Sequence, residues 1–151
     1  MDDALRLPTC SIGRAMEVLG ERWTLLILRE CFYGVKRFSV MQRNLGIARN
    51  ILSARLQLLV RTGILERRRY QDEPERFEYK LTEKGLGLYP AVVAIMRWGD
   101  EHLFDERPPV VLRHTCGHLA DPVLVCAHCR AQLDPHEVTP EPATLPALAE
   151  R

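Results

Sequence analysis

Apolar side chains recur at helical spacing five times in the first two thirds of this chain, and once the spacing tightens to strict alternation. Ser11 reads as the N-cap of a first helix with Ile12, Ala15, Met16 and Leu19 on one side, closed by Gly20. A second helix runs from Arg22 to about Tyr33, with Trp23, Leu26, Ile27 and Cys31 as its stripe, and Gly34 ends it. Phe38, Met41 and Leu45 define a short third helix that stops at Gly46, and a fourth follows from about Ala48 to Thr62, closed by Gly63. Two helices joined by a tight turn with glycine predict a helix-turn-helix. Alternation then takes over. Ile64 to about Tyr70 reads as a strand, residues 71–75 as a loop, and Phe77-Glu78-Tyr79-Lys80-Leu81 as the core of a return strand from Arg76. A helix-turn-helix followed by a two-stranded ribbon is a winged helix. Thr82 caps the next helix, where Leu86, Tyr89, Val93 and Met96 form one apolar stripe and Val92, Ile95, Gly99 and Leu103 a second. Two stripes exceed what one small core needs, so a partner helix from a second subunit is expected. Pro90 inside this pattern predicts a kink or the helix's true start.

On the fourth helix, at about 100° per residue, Asn50, Ser53, Ala54, Gln57 and Arg61 share one face, opposite Leu52, Leu56 and Leu59. That polar face contains no acid. Asn and Gln bond adenine edges, Arg bonds guanine, and small residues permit close approach to a major groove. Arg55 falls towards the apolar side, as a helix anchor or a phosphate contact.

Charge sharpens the picture. The chain of 151 residues carries a net +1, yet residues 36–70 hold nine basic side chains against the single acid Glu66, a local balance of +8. Residues 71–106 reverse it, with nine acids against four bases. A concentrated basic segment is the footprint of a polyanion partner, with a solvated helix face as the bland alternative. Arg67, Arg68 and Arg69 stand on the first strand, where alternation sends Arg67 and Arg69 to one side and Arg68 to the other. From such a ribbon, arginines reach the sugar-phosphate backbone and release counterions. Asp72, Glu73 and Glu75 oppose this at the loop tip, leaving Arg76 as its useful contact. The candidate DNA-binding residues are therefore Arg49, Asn50, Ser53, Ala54, Gln57, Arg61, Arg67, Arg69 and Arg76.

From Cys10 to about Leu103 the chain resembles the HxlR-type winged helix-turn-helix transcriptional regulators, relatives of the MarR group. The likeness rests on Cys10, the run Leu19-Gly20-Glu21-Arg22-Trp23-Thr24-Leu25-Leu26-Ile27-Leu28, Arg37-Phe38, and Leu52-Ser53-Ala54-Arg55-Leu56. It continues through Gly63-Ile64-Leu65, Tyr79-Lys80-Leu81-Thr82-Glu83-Lys84-Gly85 and Trp98-Gly99. The resemblance implies a sequence-specific, double-stranded-DNA-binding homodimer, joined through its N-terminal and C-terminal helices and acting as repressor or activator. It also implies a redox- or electrophile-sensing role for Cys10. By position alone, Cys10 is either a thiol made reactive by a helix N-terminus and nearby Arg6 or Arg14, or one packed at a dimer seam.

Beyond Arg107-Pro108-Pro109 the chain carries His114, Cys116 and His118, then Cys126, His128 and Cys129. Cys-x2-Cys is zinc-knuckle spacing, and His114, Cys116, Cys126 and Cys129 make a candidate tetrahedral set. A bare hairpin and a Cys126–Cys129 redox pair are the alternatives, because the first half is His-x-Cys-Gly-His and Arg130 stands at the usual glycine position.

The expected fold is α+β and mainly helical. Residues 1–106 form a winged helix-turn-helix domain with flanking dimerisation helices, 107–134 a small β-hairpin or zinc-ribbon-like appendage, and 135–151 a proline-rich flexible tail. Zinc deaminases need His-x-Glu and Pro-Cys-x-x-Cys, but Val125 precedes Cys126 and no His-x-Glu lies upstream. HExxH, Walker and GxGxxG motifs are also missing, so no enzyme and no required cofactor are expected, zinc at the cluster aside. No apolar stretch suits a membrane span and the N-terminus lacks a signal pattern, which predicts a cytoplasmic protein without a membrane partner. A small-molecule effector stays open. The competing class is a protein-interaction module without direct DNA readout.

Overall fold

A computed structural model describes residues 10–141. Arg6, the prolines Pro142 and Pro146, and the end of the proline-rich tail lie outside the described residues. Six helices and a two-stranded sheet follow one another as α1 (Ser11–Leu19), α2 (Arg22–Phe32), α3 (Phe38–Leu45), α4 (Arg49–Arg61), β1 (Leu65–Gln71), β2 (Arg76–Leu81), α5 (Glu83–Leu86) and α6 (Tyr89–His102). The chain divides into two compact units between Met96 and Arg97, inside α6.

The first unit is the winged helix. Ile27, Leu28 and Cys31 of α2, Met41 of α3, and Leu52, Leu56 and Leu59 of α4 close on Ile47, Ile64 and Leu65 as one core. Gly46 ends α3 in the left-handed conformation (φ 62°), where a side chain would be strained, and so turns the chain from α3 into α4. Ile47 is buried immediately after it, fixing that turn to the core.

A buried polar contact adds specificity. The Glu30 carboxylate accepts from Arg29 Nη2 at 2.8 Å and from Asn44 Nδ2 at 2.7 Å, tying α2 to α3. β1 and β2 pair antiparallel with Leu65 opposite Leu81 and Arg67 opposite Tyr79, and the register slips between Arg69 and Gln71. Lys36 and Arg37 add a short third rung: the Lys36 carbonyl accepts the Tyr79 N–H at 2.8 Å, and Arg37 bridges to Glu78.

One corner holds α4, the ribbon and α5 together. Thr82 Oγ1 accepts the Gly85 N–H at 3.2 Å, capping α5, and donates to the Gly63 carbonyl at 2.6 Å. Lys84 Nζ donates to the Thr62 carbonyl at 2.7 Å, where α4 ends. Gly85 is buried, and a Cβ there would run into the Ile64 carbonyl oxygen.

Two boundaries differ from expectation. Ser11 is not the cap of α1 but its first helical residue. The cap is Cys10, whose extended backbone leaves its carbonyl to accept the Arg14 N–H at 3.0 Å. The helix expected to run on from Thr82 is two helices, because α5 ends at Gly87 and a new helix begins at Tyr89. Pro90 lies in the first turn of α6, where its missing N–H costs nothing. The start, not the kink, is what it marks.

Two helices leave apolar side chains in solvent. α1 buries none of its residues, and Ile12 is 72% exposed. On α6 only Val93 is buried. Further along α6, in the second unit, Trp98 is 56% exposed, and beyond its end Leu103 is 69% exposed.

Candidate nucleic-acid interface

α4 presents the face expected of it. Its three core leucines point inward, Asn50, Ala54, Gln57 and Arg61 are exposed and Ser53 is half-buried. Gln57 Nε2 reaches Ser53 Oγ at 3.5 Å, a contact long enough to leave the amide available. The start of α4 is open as well. Ala48 at the cap makes no side-chain hydrogen bond and the first turn holds no acid, so the first N–H groups and the helix dipole face outward uncompensated. Such an end suits a phosphate. Arg49 stands there with its guanidinium 5.3 Å from the Phe38 ring centre. Arg55 has its own partner, Glu21 at 3.9 Å, which in turn accepts the Trp23 N–H and caps α2. Arg55 is thus an anchor.

The wing divides its charges. The Arg67 guanidinium lies flat against Phe77, 3.5 Å from the ring centre, which stiffens it at the ribbon surface. Arg69 bonds its own loop, with Nε 3.2 Å from Asp72 and Nη1 3.1 Å from Glu75. The acids that oppose phosphate binding at the tip are therefore held by Arg69. Glu78 and Lys80 neutralise each other on β2 at 3.1 Å. Among the described residues Arg61, Arg68 and Arg76 form no ion pair, so the fold leaves their charge to solvent. Arg37 was not singled out from the sequence, yet its guanidinium packs over Tyr70 at 4.9 Å and places another cation beside the wing. Only its position in the basic segment hinted at this, since a stacking partner 33 residues away leaves no periodic signal.

The cysteines occupy unlike surroundings. Burial, then the neighbouring Glu30, pushes the Cys31 thiol up to about 12, which makes it inert. Cys10 is half-exposed at the α1 cap. In the second unit the Cys126 thiol is held below its ordinary value by the N–H of Cys129, then by the N–H of His128 and the Cys129 side chain. His114 Nδ1 accepts the Cys116 N–H at 3.3 Å. Each pair sits in its own hairpin, and among the described residues no three His, Cys, Asp or Glu side chains gather as a group that would hold a metal ion.

Comparison with known proteins gives this geometry a context. A profile of HxlR-like helix-turn-helix proteins matches residues 18–107. The HTH-type transcriptional regulator Rv3095 of Mycobacterium tuberculosis is 56% identical over 134 residues, covering 87% of this chain and 85% of that protein. The crystal structure of PA1607, described as a candidate transcription factor, superposes with a TM-score of 0.80 at 32% identity, covering 93% of this chain and 99% of that one. The redox regulator HypR in its reduced form matches with a TM-score of 0.59 at 29% identity, over 62% of this chain and 94% of its own. An acid-free helix face beside a cationic wing, on a helix-turn-helix scaffold shared with these proteins, leads to one assignment: the chain belongs to the HxlR-like helix-turn-helix family of transcriptional regulators.

Proposed function

We propose that this regulator binds duplex DNA sequence-specifically as a homodimer, with α4 in the major groove and the wing on the adjoining backbone. The observation that carries the reading is the exposed face of α4, which offers Asn50, Ser53, Ala54, Gln57 and Arg61 beside an uncapped helix start and no carboxylate. On the wing, Arg67 and Arg76 meet phosphates, while Arg69 restrains Asp72 and Glu75. The dimer is supported by the apolar side chains that α1 and α6 each leave in solvent. Two-fold symmetry would set two reading helices about 34–36 Å apart, one turn of duplex. The reading needs no catalysis, no cofactor and no membrane. Among the described residues no helix is long and apolar enough to span one, and a duplex-binding protein works in the cytoplasm with its DNA.

Fluorescence anisotropy on a duplex selected from the source genome tests this. Asn50→Ala is expected to weaken the selected duplex by about 1–3 kcal/mol while leaving random duplex nearly unchanged. Removing Arg67 and Arg76 together is expected to weaken both and to flatten the salt slope by about one unit per lost phosphate contact. Equal loss on both duplexes for Asn50→Ala would refute base readout. If the intact protein bound no duplex in a salt-dependent way, the winged helix would instead be a protein-docking module.

Cys10 supplies the second part of the proposal, a thiol response to oxidants or electrophiles. It is half-exposed at the start of α1, the helix with no buried side chain, so its modification acts where a subunit contact is expected. The structural likeness to HypR, named a redox regulator, supports this. Oxidant is expected to change DNA affinity at least about fivefold in the parent protein, and Cys10→Ser is expected to abolish the change. An undiminished response in the variant would remove Cys10 from the mechanism.

A further inference from the structure

The second unit contains a folding problem. From residue 101 to residue 141 no side chain is buried, and Val110, Val111, Leu119, Val123, Leu124, Val125 and Leu133 all stand exposed. A segment this short without a core is held together by a disulfide, a metal or a partner. Yet its backbone is ordered into two tight hairpins. In the first, Arg113 bridges to Leu119, the His114 N–H donates to the His118 carbonyl at 2.9 Å and the Gly117 N–H to the His114 carbonyl at 2.9 Å. In the second, Val125 bridges to Gln132, the Cys126 N–H donates to the Ala131 carbonyl at 2.9 Å and the Arg130 N–H to the Cys126 carbonyl at 2.8 Å.

The two turns repeat one design. Each opens on a potential ligand, His114 or Cys126, and places a second, Cys116 or Cys129, two or three residues on. In each, the residue after the second ligand is left-handed: Gly117 at φ 91° and Arg130 at φ 63°. Arg130 is the only non-glycine at positive φ among the described residues, a conformation that costs about 1–2 kcal/mol and persists only where its surroundings impose it. In each, backbone N–H groups point back at the donor atom of the first ligand, the Cys116 N–H at His114 Nδ1 and the Cys129 and His128 N–H groups at the Cys126 sulfur. Donors aimed at a sulfur have their use when that sulfur is a thiolate bound to a cation.

We infer that the second unit is a zinc ribbon in which His114, Cys116, Cys126 and Cys129 bind one zinc ion, the two hairpins being its half-sites. One imidazole and three thiolates are a regular structural set for this metal, which has no redox chemistry and takes four tetrahedral ligands. Half-sites that do not yet converge are what a metal-assembled unit shows, since a preformed cage rarely precedes its ion and the binding energy becomes folding energy. Arg97 of α6 anchors this unit through Asp121 at 3.2 Å and the Pro122 carbonyl, on the connection between the hairpins. His118 and His128 are left outside the set.

The full-length protein, purified under reducing conditions without chelator and then offered zinc, is expected to retain about one zinc per chain by elemental mass spectrometry. Replacing that zinc with cobalt is expected to give the intense d–d and thiolate charge-transfer bands of a tetrahedral sulfur-rich site. Cys126→Ser with Cys129→Ser, or His114→Ala, is expected to reduce the retained metal at least tenfold, whereas His118→Ala keeps it. A protein that stays metal-free after reconstitution, or an octahedral cobalt spectrum, would overturn the site whatever the variants do. So would retention in the double cysteine variant. DNA affinity of the winged helix is a separate measurement, so its failure would leave the metal result standing.

Discussion

Replacing Gly85 by alanine is expected to destabilise the protein by about 3 kcal/mol, the upper end of what overpacking costs. The added methyl has nowhere to go. It would strike the Ile64 carbonyl oxygen and stand 3.0 Å from Leu81 Cδ2. A side chain would rotate away from such a clash, but the Ile64 carbonyl is main chain and accepts hydrogen bonds from the Thr82 N–H and hydroxyl at 3.1 and 3.2 Å. Relief therefore breaks the corner that joins α4, the ribbon and α5. Denaturant unfolding of the purified variant checks this. A change below about 0.5 kcal/mol would mean that α5 and β1 are not in close contact there.

Leu56→Ala is expected to cost a similar amount, about 3 kcal/mol, through a different mechanism. Leu56 has no exposed surface and sits in the core between α2, α3 and the ribbon, so truncation leaves a cavity that rigid neighbours cannot fill. Ile51, on the same helix but 38% exposed, provides the comparison. Ile51→Ala is expected to cost less than about 1 kcal/mol. Equal losses at the two positions would contradict the assignment of α4 faces, and with it the placement of Asn50 and Gln57 on the outer side.

The helix-turn-helix and its wing were legible because each rests on a local signal. Leu52, Leu56 and Leu59 announce the inner side of α4 by spacing, Gly46 and Gly63 mark turns only glycine adopts easily, and Phe77-Glu78-Tyr79-Lys80-Leu81 can hardly be other than a strand. What escaped was decided by partners distant in sequence or across a turn. Arg69 counts as free charge in a one-dimensional tally, yet the loop folds Asp72 and Glu75 back onto it. Glu30, on the buried side of α2, looks misplaced until Asn44 arrives from α3 to share it. The cap of α1 moved from Ser11 to Cys10 because capping is decided by backbone angles, and Ser11 already has helical ones. The C-terminal cluster was visible as ligand spacing, but the repeated turn design and the missing core emerge only in three dimensions.

The Thr82–Gly85 corner has a consequence for how this molecule comes apart. Because Lys84 finishes the last turn of α4 while Thr82 clasps the chain between α4 and β1, neither the reading helix nor the ribbon owns its own ending. Amide protons at residues 60–66 and 82–86 should therefore exchange with solvent in a single opening event. A chain severed after Leu81 would lose the finish of its DNA-facing helix, although every residue of that helix was still present.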